Sequence, residues 1–201
     1  MLVNLLLYLI INVFTPQPED VYLPIDVTDR KSIYEIALTE IGEFGLKRKA
    51  RPSVPEHLHT GIDIKRPGKN YLDEPIYPIA DGVVISKRED GPYAQLIVEH
   101  NINGQYFWTV YEHIAGIRVG LHQTVSTSDP IARFFNRKEL DKHGWQFDHF
   151  HFEILRVAPM QIRPQANLPE RLFKSYTLDC YTEERLNSLF YNPLSFFAER
   201  L

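Results

Sequence analysis

The sequence predicts a mainly β protein built on an antiparallel sheet with a few short flanking helices, and three observations carry that prediction. Between Gly61 and Ile154 the chain is a series of short apolar runs broken by turn residues. Asn103-Gly104 stands between two of those runs, the pair a two-residue hairpin favours because both central residues need positive φ. Phe147–Leu155 alternates so that Phe150, Phe152 and Ile154 share one face while His149, His151 and Glu153 share the other.

The elements follow in order. Residues 1–14 are apolar apart from two asparagines, shorter than the ~20 residues a membrane-spanning helix needs. They have the length of a signal-peptide core but lack a basic leader and a small-residue cleavage site. Thr15 to Asp20 reads as a linker, so residues 1–20 are expected to be an export signal or membrane anchor, with a single domain over 21–201. Within 29–44, Ile33, Ile36, Ala37, Ile41 and Phe44 recur at helical spacing after Asp29, a candidate N-cap, and predict a helix closed by Gly42 and Gly45. Strands are expected at Ile76–Ile79, Gly82–Ser86, Ala94–His100, Tyr106–Ile114 and Phe147–Leu155. Beyond Arg156 the prolines 159, 164 and 169 suggest an extended excursion. Thr182–Tyr191 reads as a short helix, and Phe196 and Phe197 as residues that pack back on the domain.

Composition narrows the chemistry. Of 201 residues, 22 are basic and 26 acidic, and the net charge of −4 without a long basic run argues against a nucleic-acid partner. The single Cys180 excludes an intrachain disulfide and a cysteine-based metal cluster. Any metal here must be held by His, Asp or Glu, and there are eight histidines.

Three clusters of histidine stand out. In His149-Phe150-His151 two imidazoles share a strand face with Glu153, which is expected to be open. In His59-Thr60-Gly61-Ile62-Asp63 the His and Asp, four apart, fall on one face. In Tyr111-Glu112-His113 the Tyr and the His share a strand face. If Asn103-Gly104 is the turn, His100 pairs with Phe107 and His113 with Ala94. The two are then roughly 20 Å apart along the sheet, so only one of them can line the site. Two imidazoles and a carboxylate with a position left for water is the pattern of catalytic rather than structural zinc. Taken singly, each cluster also reads as an ordinary polar surface.

In their order, His59-x-x-x-Asp63, Ala80-Asp81-Gly82-Val83-Val84, Tyr111-x-His113 and His149-x-His151-Phe152-Glu153 resemble the lysostaphin/LytM-type zinc metallopeptidases, which cut peptide cross-links of bacterial peptidoglycan. The resemblance spans about residues 44–155, and Asn192-Pro193-Leu194 is similar to the end of such domains; residues 156–201 form an extension. It implies a LytM-type β domain with a substrate groove, and Zn2+ held by His59, Asp63 and His151. His149 and His113 would be the catalytic pair, with His100 outside the site. Peptidoglycan peptide stems or cross-links are then the partner, and the protein is expected to be an exported monomer in the periplasm or cell envelope. His57, His122 and His143 match no functional position and are expected on the surface. Where the family usually has turn glycines this chain has His122 and Ser128, and Arg133–Gln146 is a charged, aromatic loop expected to wall the groove. Two other readings compete: a catalytically inactive LytM-like regulator of wall hydrolases, and a zinc-free β module that binds polysaccharide or protein.

Overall fold

The computed structural model describes residues 21–52 and 54–201. The segment expected to direct export, and its linker, lie outside the described residues. Among the described residues no helix is long and apolar enough to cross a membrane.

The strands are β1 (Lys47–Arg48), β2 (His57–Leu58), β3 (Ile62–Lys65), β4 (Pro75–Ile76), β5 (Gly82–Arg88), β6 (Gln95–Ile102) and β7 (Gln105–Glu112). They continue with β8 (Thr124–Val125), β9 (Ala132–Arg133), β10 (His149–Leu155), β11 (Met160–Gln161), β12 (Phe173–Lys174) and β13 (Phe190–Tyr191). Three helices flank them: α1 (Arg137–His143), α2 (Glu183–Leu189) and α3 (Pro193–Arg200). The main sheet runs β13-β10-β7-β6-β5-β8, and β3 shares the outer edge of β10 with β13. Every pairing is antiparallel. The molecule is mainly β, as its sequence predicts.

The hairpin between β6 and β7 turns at Asn103 (φ 52°) and Gly104 (φ 84°), and His100 pairs with Phe107. One face of the sheet carries Val84, Leu96, Val98, Tyr111, Phe150, Phe152 and Ile154 into a core closed by Val21, Leu23, Ile25, Phe196 and Phe197. Each large apolar side chain removed from water there contributes roughly 1.5–3 kcal/mol. The other face carries Ile97, Val110 and Leu155 against Cys180, Leu186, Leu189 and Phe190.

The structure departs from the sequence reading in several places. Residues 29–44 are not a helix: only Ile33–Glu35 form a 3-10 turn, and Ala37 and Ile41 are exposed. Asp29 closes a local turn on the Lys31 N–H instead of capping a helix. The segment satisfies the outer edge of β3, with Lys65 N–H donating to Ala37 O, Thr39 N–H to Asp63 O and Asp63 N–H to Gly42 O. An unpaired edge beside the site outweighs the weak helical preference of an isoleucine-rich stretch. The strand expected over Ile76–Ile79 is confined to Pro75–Ile76. The loop 133–146 is ordered by α1, whose capping box joins Asn136 and Glu139 and which ends at Gly144 (φ 112°).

His57, expected at the surface, is buried, and the middle of the extension lies along β2: Leu58 N–H donates to Cys180 O. The face of His151 and Glu153 is not open either. Residues 170–177 cross it as a strap. Glu170 O accepts from Lys87 N–H at the edge of β5, Phe173 meets the Ser86 hydroxyl, and Ser175 and Thr177 reach Glu153 on β10.

Candidate metal centre

The paired register sets the site. Across the sheet, Arg88 lies opposite Gln95, Gln95 opposite Glu112, Glu112 opposite His151 and His151 opposite Asp63. One row of side chains therefore runs over five strands and ends on two of the expected ligands. The next row is Ser86, Ile97, Val110 and Glu153, and the strap lies on it.

His59, Asp63 and His151 converge, and all three are buried. His59 Nε2 stands 2.9 Å from His151 Nδ1 and 3.1 Å from Asp63 Oδ1, and His151 Nδ1 stands 3.0 Å from the same oxygen. The outer atoms explain the orientation. His59 Nδ1–H donates to the Glu43 carbonyl (2.8 Å), and His151 Nε2–H donates to Glu153 (3.0 Å). Each ring then turns a lone pair to the point that Asp63 Oδ1 also faces. With both rings neutral in those tautomers, three acceptors converge, which a metal ion or an added proton satisfies. Ligand atoms at 2.0–2.2 Å around a tetrahedral ion would stand about 3.3 Å apart, so the triangle fits a divalent metal with slight relaxation. Without one, burial opposes charge on His151, but Asp63 and Glu153 override it and push the imidazole up to about 10. A proton on His151 then takes the cation's place. Burial also opposes charge on Asp63, yet hydrogen bonds from the two histidines hold its carboxyl far below the usual range.

Sequence reasoning missed the residues behind the ligands. Arg48 Nη2 donates to Asp63 Oδ2 (2.7 Å), so only Oδ1 is left for an ion. Glu153 is wholly buried and accepts from His151, Thr60, Ser175 and Thr177. Its place two residues after His151, on the same strand face, is the sequence signal; Thr60, Ser175 and Thr177 have none. Gly61 is required by close approach, since a Cβ there would stand 2.1 Å from the Phe152 carbonyl oxygen.

The other two expected site residues lie beside the triangle. His149 Nε2 is 3.8 Å from Asp63 Oδ1, and its ring meets His113 at 5.5 Å between centroids. His113 arrives unexpectedly. Tyr111 packs on Phe150 and Phe152 in the core, whereas His113 contacts Tyr93, Phe147 and His149, so the two do not share a face. β7 ends at Glu112, and His113 takes φ 63°, a left-handed conformation that swings its ring out of the strand alternation. Its Nδ1–H donates to Pro92 O (2.6 Å), leaving Nε2 free. Burial pushes His149 down to about 4, and His113 is also lowered by burial, so both rings are neutral near pH 7. Asp148, next to His149, is held by Arg66, whose guanidinium lies over Tyr71 and Phe134.

The remaining histidines are accounted for. His100 is buried away from the site, with Nδ1–H donating to Asp81 O and Nε2 bonded to the Thr109 hydroxyl (2.8 Å). Gly82 leaves room for it: a Cβ would lie 2.7 Å from His100 Nδ1. His122 is exposed, in a turn at φ 64°, the conformation for which glycine is ordinarily used. His143 is half-buried against Phe135.

A family model described as Peptidase family M23 matches residues 57–164, more than half of the chain and the span that holds all five expected site residues. The chain belongs to peptidase family M23. No curated protein matches it. Among solved structures, this M23 chain is similar to a zinc containing peptidase from Vibrio cholerae, at 28% identity and TM-score 0.46, over 68% of this chain and 37% of that one. It is also similar to LytU, at 21% identity and TM-score 0.42, over 77% of this chain and 91% of that one. A third likeness is to Csd3 of Helicobacter pylori, at 15% identity and TM-score 0.41, over 90% and 40%. The M23 chain thus spans little more than a third of the length of the Vibrio cholerae peptidase.

Proposed function

We propose that this M23 protein is a zinc metallo-endopeptidase that hydrolyses peptide cross-links of bacterial cell-wall peptidoglycan. The observation that carries the reading is the convergence of two imidazole lone pairs and one carboxylate oxygen within 3.1 Å, with two further neutral histidines beside them. Two neutral imidazoles and one carboxylate suit Zn2+ and leave a net charge of +1. When bound, the metal supplies Lewis-acid activation of water and of the scissile carbonyl.

The chain's own groups do the rest. His149 is the proton acceptor: it borders the ligands and is neutral at working pH. His113 holds Nε2 free because Nδ1–H is committed to Pro92, so it can take over the proton that His149 removes from water and pass it to the leaving amine. Arg48 keeps Asp63 in place, and Glu153 fixes the ring of His151. Peptidoglycan lies outside the cytoplasm, so the reading includes export to the periplasm or cell envelope, with residues 1–14 as the segment that would direct it.

The test is digestion of purified wall sacculi by the zinc-loaded protein, followed by muropeptide analysis. Loss of cross-linked species with matching release of monomeric stems is expected, and chelation should abolish it. Sacculi unchanged by a protein of verified zinc content would refute the assignment.

A further inference from the structure

All five expected site residues precede Leu155, yet the extension after it sends residues 170–177 back across the sheet. The row beneath this strap, Ser86, Ile97, Val110 and Glu153, is polar only at its two ends. The strap meets both. On β5 the Ser86 hydroxyl donates to Phe173 O and accepts from the N–H groups of Leu172 and Phe173. On β10 the hydroxyls of Ser175 and Thr177 donate to Glu153. Between these anchors Phe173 and Tyr176 pack on the cluster that holds Ile97 and Val110.

The two oxygens of Glu153 are served unequally. Oε1 accepts from His151 Nε2–H (3.0 Å), from the Thr60 hydroxyl and from the Thr177 hydroxyl (2.9 Å). Oε2 accepts from the Ser175 hydroxyl, its one partner among the described residues. Glu153 is wholly buried, and a buried carboxylate oxygen without a donor costs more than an ordinary hydrogen bond returns. With the strap in place the carboxylate is dry and fixed, and its bond to His151 gains from the low local dielectric. A lifted strap would admit water, which competes with His151 for the same lone pairs. His151 passes the effect on, because its Nδ1 is the atom that faces His59 Nε2 and Asp63 Oδ1.

We infer that Ser175 and Thr177 are positioning residues for the metal, and that docking of the strap and binding of Zn2+ at His59, Asp63 and His151 are coupled through Glu153. The inference rests on the zinc reading of that triangle. The coupling is reciprocal: a strap that strengthens metal binding is held down by the bound metal by the same factor. The extension is thereby part of the metal centre, although none of its residues touches the ion.

The test is zinc affinity, read on the full-length protein by competition with a chromogenic chelator. Ser175→Ala should weaken it by about 10-fold, the lower end of what losing the partner behind a ligand costs. Thr177→Val leaves Oε2 paired and two donors on Oε1, so it should fold as the wild type does and weaken zinc binding by less. Thr177→Ser returns the hydroxyl and should return the affinity. A strap with a merely structural role would lose stability in these variants while the zinc affinity of the folded protein stayed the same. Hydrogen exchange of residues 172–177 reads the reciprocal arm: zinc should slow it in the wild type, and by less in Ser175→Ala. A wild type that binds zinc, with affinity unchanged in both Ser175→Ala and Thr177→Val, overturns the coupling and leaves the metal reading standing. A wild type that binds no zinc overturns both.

Discussion

His100 and His151 are both buried, both on the main sheet, and both bonded through each ring nitrogen, yet their surroundings differ in kind. Around His100 the accounting closes within the protein: Asp81 O takes the Nδ1 proton and the Thr109 hydroxyl meets Nε2. Around His151 it closes on one side only. Glu153 takes Nε2–H, while Nδ1 faces His59 Nε2 and Asp63 Oδ1. A buried histidine with matched partners is a part of the core; one whose lone pair meets other lone pairs is half of a cation site.

The largest expected effect comes from breaking the open side. His151→Ala should abolish both zinc binding and hydrolysis, measured by metal analysis and muropeptide release. Retention of one zinc per chain would show that the convergent triangle is not the metal site. Next, His149→Ala should keep its zinc and lose hydrolysis by about 10²–10⁴-fold, the usual contribution of a positioned acid–base group. Zinc lost from His149→Ala but kept by His151→Ala would mean that the histidines of the pair have exchanged roles.

The closed site offers a pH effect. Burial holds His100 at about 4 in the folded protein, against 6.5 for the free side chain. Between those values the unfolded chain binds the extra proton, so the stability this residue contributes is complete above pH 6.5 and is lost as pH falls toward 4. The shift corresponds to about 3 kcal/mol. Denaturant unfolding of wild type and His100→Asn at pH 7 and pH 4.5 should show a smaller acid loss in the variant, with zinc content the same in both at pH 7. Parallel losses would mean that His100 is not the group that charges. The smallest effect belongs to the support behind the open site: Glu153→Gln should weaken zinc binding by about 10–100-fold, as loss of a ligand's hydrogen-bonded carboxylate commonly does. Competition with a chromogenic chelator reads this directly, and an unchanged affinity would reduce Glu153 to a packing role.

Alternation along β10 placed His149 with His151, because a strand's side chains alternate whatever lies across from it. His59 instead precedes β3 and meets Asp63 through the bend at Thr60-Gly61. The Asn103-Gly104 turn then set the register of β6 on β7, and with it the exclusion of His100 from the site. The order of motifs completed the outline of an M23 domain. Helix α1 was also open to such reading: Asn136 and Glu139 stand at capping-box spacing before a closing Gly144.

Local pattern had no bearing on what depended on partners far along the chain. Residues 29–44 carry a helical spacing, but the unsatisfied edge of β3 draws their backbone into an irregular path. His113 leaves its strand face through a positive φ and is held by Pro92, a contact 21 residues away. The face of Glu153 is polar by pattern and buried in fact, because Ser175 and Thr177 cross over it with hydroxyls that satisfy the carboxylate. Which of the strand residues could meet a metal was written in the alternation of β3 and β10. Which of them lost their water and which backbone edges needed partners were decided only when the strands paired and the strap closed over them, because desolvation and long-range hydrogen bonding exist only in the assembled fold.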